Sequence, residues 1–590
     1  MNRQELIRRL QGFEWNDIEF KRARGGVPED AYKTVSAFAN TSGGYLVFGV
    51  RESAGGYEIS GVEDVDRVQN DFLSCLRART KFNRTIGVEE SHLAIEDKTV
   101  LIFRILPADK HERPVYLNEN IRNSFIRRGG GDERCTQSEI QRFLRDAGSS
   151  PYDADLLDLD AKDFYDSASV KWYRRLFDER EPGRHETLDD VDFLKEWGLL
   201  VEKEGRCVPN RAALLLFGKA RLVRTHLSRP VADFQIISAN LDQWDPQRRW
   251  ADRIVIEENI IQAWLAIAER YMKHAERPFE IDAATLRRHD APPDYIAFRE
   301  AAINLLIHQD YGDMGRHAQI QLFLNGARFW NPGDAFVSVD ELLNPGPKEL
   351  RNPNLVAAFR RIGLSDQAGT GIRAMVQSWH RLGNVPPEIR NLRDSQAFEL
   401  VLRRERLLTP LQKRFVKELG VHLNEREASV FAYMCSREQV TVTDVRALGG
   451  FTVADAQRIL EQLVVQNLVQ PLDAGKVYVL APHLKPHYAK LSSDSALRKE
   501  SRQSQGRVEE ESISIQILSA LIGNTLSKGE IARSIGKEKV DGQLNKEVRA
   551  LLDKGFIEYT IPDKPNSRMQ KYRITENGQV KVTREGNTNE

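Results

Sequence analysis

One helix-sized stretch constrains this chain more than any other. Phe298-Arg299-Glu300-Ala301-Ala302-Ile303-Asn304-Leu305-Leu306-Ile307-His308 joins good helix formers to apolar residues at helical spacing. Glu300, Asn304 and His308 recur at every fourth position, so a helix aligns them on one face. A carboxylate and an amide one turn apart suit a metal-nucleotide: the amide oxygen takes Mg²⁺ and the carboxylate polarises a water. Ile320 to Leu324 and Ala327 to Trp330 flank Asn325-Gly326, a strong hairpin signal. The hairpin delivers Asn331-Pro332-Gly333. Further on, Gly369-Thr370-Gly371-Ile372 opens another helix, a glycine turn whose backbone N–H groups can approach phosphate. Each piece alone is weak; the order carries the signal.

That order is Glu-x3-Asn helix, hairpin, Asn-Pro-Gly, Arg351-Asn352-Pro353, then Gly-Thr-Gly. It resembles the divergent GHKL-type (Bergerat) ATPase domain of bacterial proteins described as RecG-related predicted transcriptional regulators. The resemblance implies Glu300 as water-activating base, Asn304 as Mg²⁺ ligand, Gly333 beneath adenine and Gly369, Thr370 and Gly371 as phosphate lid; helical spacing adds His308 to the same, cofactor-binding face. One position departs from the pattern. Asn331 stands where standard GHKL proteins have the adenine-reading Asp, and its side-chain oxygen can still accept from the adenine amino group.

At 590 residues the chain exceeds one core and should hold about four or five domains. No apolar run approaches the roughly 20 residues of a membrane helix, and the charged start Met1-Asn2-Arg3-Gln4-Glu5 is unlike a signal peptide, so the expected location is cytoplasmic. Four scattered cysteines without metal spacing argue against a disulfide framework or structural zinc. Eighty-six basic residues balance 86 acidic ones, so a nucleic-acid surface has to come from local clustering.

The first 147 residues supply such clustering. A helix is expected over Pro28 to Asn40, and strands over Tyr45 to Val50, Thr99 to Leu106 and Asn123 to Arg128. Glu14-x4-Glu19-Phe20-Lys21, Ser36-Ala37-Phe38-Ala39-Asn40-Thr41-x-Gly43-Gly44, Gly49-Val50-x-Glu52 and Phe125-Ile126-Arg127-x-Gly129 together resemble the Schlafen AlbA-2 domain. In its nuclease-active members three carboxylates hold metal, and the matching positions here are Glu14, Glu19 and Glu52, the last replacing the family's Asp. The resemblance implies one or two Mg²⁺ or Mn²⁺ ions activating water against a scissile phosphate, with Lys21 as a phosphate contact. Arg77, Arg79, Lys81, Arg127 and Arg128, with Arg84, Arg122 and Arg134, form the expected nucleic-acid-binding face. The alternative is a solvated surface with no catalysis.

Residues 148–296 read as a helical, winged-helix-like connector that ends in a long amphipathic helix from Ile254 to Ala275. The Ile256, Ile260, Trp264, Ile267 and Tyr271 face of that helix is either core or a dimer seam. The ATP domain is expected over 297–405 and a winged helix over 406–490. A polar linker over 491–511 follows, then a second winged helix over 512–590 with Lys546, Arg549, Lys564, Arg568 and Lys571 toward DNA. The chain is thus expected to be α/β and multidomain, and an oligomer, most simply a dimer. Its leading function is an ATP-gated, metal-dependent endonuclease that favours RNA, with phage defence or stress as the roles that fit the resemblance. The alternative is an ATP-responsive DNA-binding transcriptional regulator without nuclease activity.

Overall fold

The computed structural model describes residues 6–7, 10, 17–53, 56–148, 150–185, 187–245, 247, 250–275, 292–344, 346–365, 371–472, 475, 477–491, 513–537, 539–563 and 570–586. Glu14, Gly369, Thr370, Lys564, Arg568 and the expected linker 492–511 lie outside the described residues. The chain forms two compact units, one of residues 1–412 and 421–481, the other of 413–420 and 482–590.

The larger unit begins with a four-stranded sheet of order β1-β2-β6-β5. Strand β1 (Ile18–Lys21) runs parallel to β2 (Gly44–Phe48), and the rest of the sheet is antiparallel. Between them α1 (Ala31–Asn40) is buried along nearly its whole length. Gly49, at φ 94°, stops β2 at Phe48, two residues short of the expected Val50, and turns the chain into the hairpin of β3 (Val50–Ser53) and β4 (Gly56–Ile59). Helix α2 (Val65–Arg77) and α1 cover one sheet face, where Phe38, Phe48, Phe72 and Phe103 pack together. Strands β5 (Val88–Ile95) and β6 (Lys98–Ile105) complete the sheet. The Asn40 side chain, fully buried, donates to Val115 O and Phe125 O and accepts from Val115 N. It thereby fixes the hairpin of β7 (Phe125–Arg128) and β8 (Gly131–Arg134) against α1. Helix α3 (Gln137–Ala147) follows, started by a Thr136–Glu139 capping box.

Helices α4 (Ser167–Arg180) and α5 (Asp190–Glu196), the hairpin β9 (Leu200–Lys203) and β10 (Arg206–Pro209), and helices α6 (Arg211–Phe217) and α7 (Ala220–His226) come next. Then β11 (Ala232–Ile236) and β12 (Asp252–Ile256) pair antiparallel. The expected helix over 254–275 is therefore corrected at its start. Ile254-Val255-Ile256 is a β-branched run that joins a sheet, and helix α8 (Ile260–His274) begins only after Asn259, which caps it by accepting from Gln262 N.

Helix α9 (Tyr295–His308) leads into β13 (Ala318–Phe323) and β14 (Gly326–Pro332). The expected hairpin forms, but its two turn residues are Leu324 and Asn325, one position earlier than the Asn325-Gly326 signal, and Gly326 already pairs with Phe323. After α10 (Val339–Leu342), α11 (Pro353–Arg361) and α12 (Gly371–Arg381) come β15 (Glu388–Leu392) and β16 (Ala397–Arg403). These strands make one six-stranded sheet of order β12-β11-β13-β14-β16-β15. Two of its strands precede residue 297, so the sheet crosses the domain boundary read from the sequence. Helices α8 and α9 cover one face. Tyr271 stacks on Phe298 at 3.8 Å and Phe298 meets Phe329 at 5.5 Å. The same core takes in Ile256, Ile260, Trp264 and Ile267, so that apolar stripe is not a free dimer seam. On the opposite face the alternate residues make a polar ladder from Gln235 through Gln321, Arg328 and Glu399 to Arg390.

Residues 421–481 add α13 (Glu425–Cys435), β17 (Val440–Thr441), α14 (Val442–Gly449), α15 (Val453–Val465) and the hairpin β18 (Val469–Leu472) with β19 (Val477–Leu480). The smaller unit holds a helix over 513–520, α16 (Lys528–Ser534), α17 (Gly542–Asp553), the hairpin β20 (Ile557–Tyr559) and β21 (Tyr572–Ile574), and α18 (Glu576–Gly586). Ile517, Leu521, Ile531, Leu544, Val548 and Ile557 form its core. Among the described residues, no helix is long and apolar enough to cross a membrane.

Candidate functional site

Between α9, the end of β14, the segment 333–351 and the start of α12 lies a cavity of about 430 Å³. Its floor is apolar: Phe329 from β14, Ile389 from β15, and Phe398 and Leu400 from β16. Glu300, Asn304 and His308 all line it, as their spacing requires, and Asn331, Gly333 and Gly371 join them from elements far apart in sequence. An apolar floor with one polar strip is the composition of a small-molecule site.

Each polar member has a defined place. Asn304 Nδ2 donates to Glu300 Oε1 at 3.2 Å, which leaves the amide oxygen as the atom chemically suited to a cation. Glu300 in turn lies against the first residue of α12, because a β-carbon on Gly371 would stand 2.1 Å from Glu300 Oε1. His308 is half-buried at the cavity wall, and desolvation there, with Arg351 nearby, pushes its pKa down to about 4. At neutral pH it presents an uncharged imidazole. Asn331 is buried and donates to Pro332 O at 3.1 Å, so its amide nitrogen is engaged locally. Gly333 has φ 99°, and a β-carbon there would come within 3.0 Å of both Arg351 Nε and Asp310 N. Only glycine suits both the conformation and the approach.

The sequence alone assigns no roles to the residues of the 334–351 wall. Arg351 sits at the cavity edge, where its guanidinium donates to Asp146 Oδ1 at 2.7 Å and Asp334 O at 3.1 Å. Burial alone would lower its pKa; Asp146, Asp310 and Asp334 outweigh that and raise it. Asn352, fully buried, donates to Ile307 O at 3.0 Å and Gln309 O at 2.9 Å, tying the wall to the end of α9. The Arg-Asn-Pro signal is visible in sequence, but its partners are not. Lys348 also lines the cavity; burial lowers its pKa, and Nζ donates to Asn344 O at 2.6 Å.

The N-terminal carboxylates are arranged differently. Glu19 is buried and forms ion pairs with Lys21 Nζ at 2.6 Å and Arg127 at 2.8 Å. Lys21 also pairs with Asp30 at 2.8 Å. Burial opposes its charge, but Asp30 and Glu19 prevail and raise its pKa. Glu52, on β3 opposite Tyr57, is exposed. Among the described residues, no group of three His, Cys, Asp or Glu is placed to hold a metal ion. A divalent ion at Glu19 would have to displace two cations already in place. The described carboxylates therefore do not fit a metal centre as they stand, whereas the single amide oxygen of Asn304 fits Mg²⁺, which takes few protein ligands beside phosphates and water.

The expected basic face needs one correction. Arg127 is only 1% exposed, held by Glu19 and by Asp132 at 2.9 Å and donating to Ile18 O, so it is a structural cation and not a surface contact. Arg77 and Arg79 are exposed. Lys81 is paired with Glu29 and lies 4.3 Å over the Tyr32 ring. Arg128 is exposed but shared by Glu133 at 3.2 Å and Glu139 at 2.5 Å.

Comparison with known proteins gives four family matches. Residues 14–136 match the Schlafen AlbA_2 family and 315–402 the family described as putative ATP-dependent DNA helicase recG C-terminal. Residues 141–233 match a domain of unknown function (DUF8451), and 514–575 the C-terminal domain of Fic-like proteins, described as filamentation induced by cAMP. No curated protein matches the chain. Among solved structures, the DIP2311 protein of Corynebacterium diphtheriae is 18% identical, with 97% of this chain and 98% of that one covered at a TM-score of 0.38. The N-terminal domain of a putative ATP-dependent DNA helicase RecG-related protein from Nitrosomonas europaea is 30% identical over 22% of this chain and 92% of that one, at a TM-score of 0.19. The chain is thus a multidomain α/β protein that joins a Schlafen AlbA_2 domain to an ATPase-like domain of the RecG-related C-terminal family.

Proposed function

We propose that the cavity binds Mg²⁺-ATP and that the nucleotide controls what the N-terminal domain does to nucleic acid. The observation that carries this reading is the convergence of Glu300, Asn304, His308, Gly333 and Gly371 on one cavity with an apolar floor. The apolar residues beside Gly333 would hold adenine, and Gly371 with the N-terminal end of α12, whose helix N–H groups favour negative charge, would face the phosphates. Bound Mg²⁺ supplies charge neutralisation at the phosphates. Asn304 Oδ1 would hold the ion, and the Glu300 carboxylate is the group able to take a proton from water. The test is calorimetric titration of the full chain with ATP, with and without Mg²⁺, against GTP as control.

For the N-terminal domain the best-supported reading is nucleic-acid binding through exposed cations such as Arg77 and Arg79, as the family resemblance implies. Metal-dependent RNA cleavage rests on the acidic identity of Glu14, Glu19 and Glu52, and the Lys21 and Arg127 pairs at Glu19 weigh against it. Winged-helix roles for 421–481 and 513–586 rest on their order of three helices and a hairpin, with DNA contact assigned to the second through Lys546 and Arg549. Incubating the full chain with tRNA, single-stranded RNA and duplex DNA, with Mn²⁺ and ATP, separates cleavage from binding.

A further inference from the structure

The cavity wall 334–351 does two jobs at once. It lines the cavity through Asp334, Lys348, Glu349 and Arg351, and it is the ground on which two other parts of the larger unit stand.

Toward the N-terminal domain the contacts are ionic and mostly buried. Arg351 binds Asp146 at the end of α3, and Glu349 binds Lys110 at 2.6 Å and His111 at 3.1 Å. Arg113 faces Asp334 at 3.8 Å; both side chains are 6% exposed, and neither Arg113 Nε nor Asp334 Oδ2 has a hydrogen bond among the described residues. That pair is therefore desolvated without being tightly made, and a shift of about 1 Å would either complete a charge-assisted hydrogen bond or separate the two charges. Arg142, also on α3, binds Asp313 at 2.8 Å, and Arg145 donates to Gly312 O at 3.0 Å, so α3 is held at two positions by the segment after α9.

Toward residues 421–481 the same wall offers Asp340 and Asn344. Arg446 of α14, 1% exposed, pairs with Asp340 and donates to Asn344 Oδ1 at 2.5 Å, while Thr443 donates to Asp340 at 2.9 Å. Helix α14 also rests on α12, whose Arg373 donates to Gly450 O at 2.9 Å. The wall and α12 thus both touch the cavity, and both carry α14.

We infer that the 334–351 wall is a relay by which a nucleotide in the cavity sets the docking of the N-terminal domain at Lys110, His111, Arg113 and Asp146 and of helix α14 at Arg446. This rests on the reading of the cavity as a nucleotide site. The ligand has differential contacts to offer, because Asp334, Lys348, Glu349 and Arg351 line the cavity and belong to the wall that holds the neighbours. Helix α14, the second helix of its module, is then occupied in a protein contact. Reciprocity follows: loosening either docking contact from outside the cavity changes nucleotide affinity by the same factor that the nucleotide changes docking.

Hydrogen exchange of the full chain, with Mg²⁺ and adenylyl-imidodiphosphate against apo protein, tests the relay. The expected result is altered exchange in α9 and α12 together with 108–113 and 442–451. Altered exchange confined to α9 and α12 overturns the relay and leaves the nucleotide site standing; no change in α9 or α12 removes both. As a second measurement, Asp340→Asn and Lys110→Met alter residues outside the cavity, one on each side of the wall. Each is expected to change the affinity for the analogue by about fivefold or more. Affinities within about twofold of wild type in both variants, with unchanged melting, overturn the relay, since that is below the usual range of coupling between sites. Should either variant unfold, the exchange pattern of the wild type decides.

Discussion

Gly371 and Glu300 are in contact across the cavity: a β-carbon at Gly371 would lie 2.1 Å from Glu300 Oε1. The start of α12 and the acidic side chain of α9 are therefore fitted to each other, and the fit leaves no room for a methyl group. Gly371→Ala is expected to fold, since the obstructing atom is the end of a flexible side chain, but to move the Glu300 carboxylate. ATP turnover should fall by about tenfold or more if general-base catalysis accounts for its usual 10²–10⁴-fold. Steady-state hydrolysis with a melting curve on the same sample checks this; full activity in the variant counts against Glu300 as base.

The Glu19–Arg127 pair gives the next prediction. Arg127→Ala leaves Glu19 and Asp132 without their common cation, and removing one partner of a buried pair costs about 3–5 kcal/mol. The variant should melt well below wild type and lose nucleic-acid binding only with its fold. Arg77→Ala combined with Arg79→Ala should instead keep its melting temperature. Its binding to RNA or DNA should weaken, with the salt dependence of log K flattened by about one unit for each phosphate no longer neutralised. Salt-titrated binding beside thermal melts distinguishes the two.

His308 predicts a pH effect. Its folded pKa is lowered from 6.5 to about 4 by burial and by Arg351, so between those values the unfolded chain binds the extra proton. The His308 contribution is fully present above about pH 6.5 and is lost as pH falls toward 4. His308→Gln should therefore narrow the stability gap between pH 7 and pH 5 relative to wild type. Urea denaturation at both values measures it, and an unchanged gap would show that the His308 imidazole is not desolvated in the fold.

How much of this is legible in the sequence depends on the reach of each interaction. The Glu300-Asn304-His308 face is legible because four-residue spacing is a local property of a helix. The Asn325-Gly326 signal likewise locates the hairpin, though strand pairing of Gly326 with Phe323 moves the turn to Leu324-Asn325. The start of α8 is not, because Ile254-Val255-Ile256 fits a helical stripe and a strand alike, and its sheet partner β11 decides it. Arg127 reads as a surface cation because nothing nearby in sequence reveals that Glu19 and Ile18 enclose it. The wall 334–351 shows its Arg-Asn-Pro signal but not its work, since Arg351 meets Asp146 across 205 residues. Domain boundaries suffer likewise: two strands before residue 297 belong to the same sheet as the four after it.

Titration of the full chain with Mg²⁺-ATP, in parallel with Asn304→Ala and Glu300→Ala, tests the central claim most directly. Wild type should bind saturably. Asn304→Ala should lose Mg²⁺-dependent binding, because the phosphate charge is then left without its metal, while Glu300→Ala should retain nucleotide and lose only turnover. Equal ATP affinity in wild type and Asn304→Ala, or no binding by wild type at all, would contradict the account.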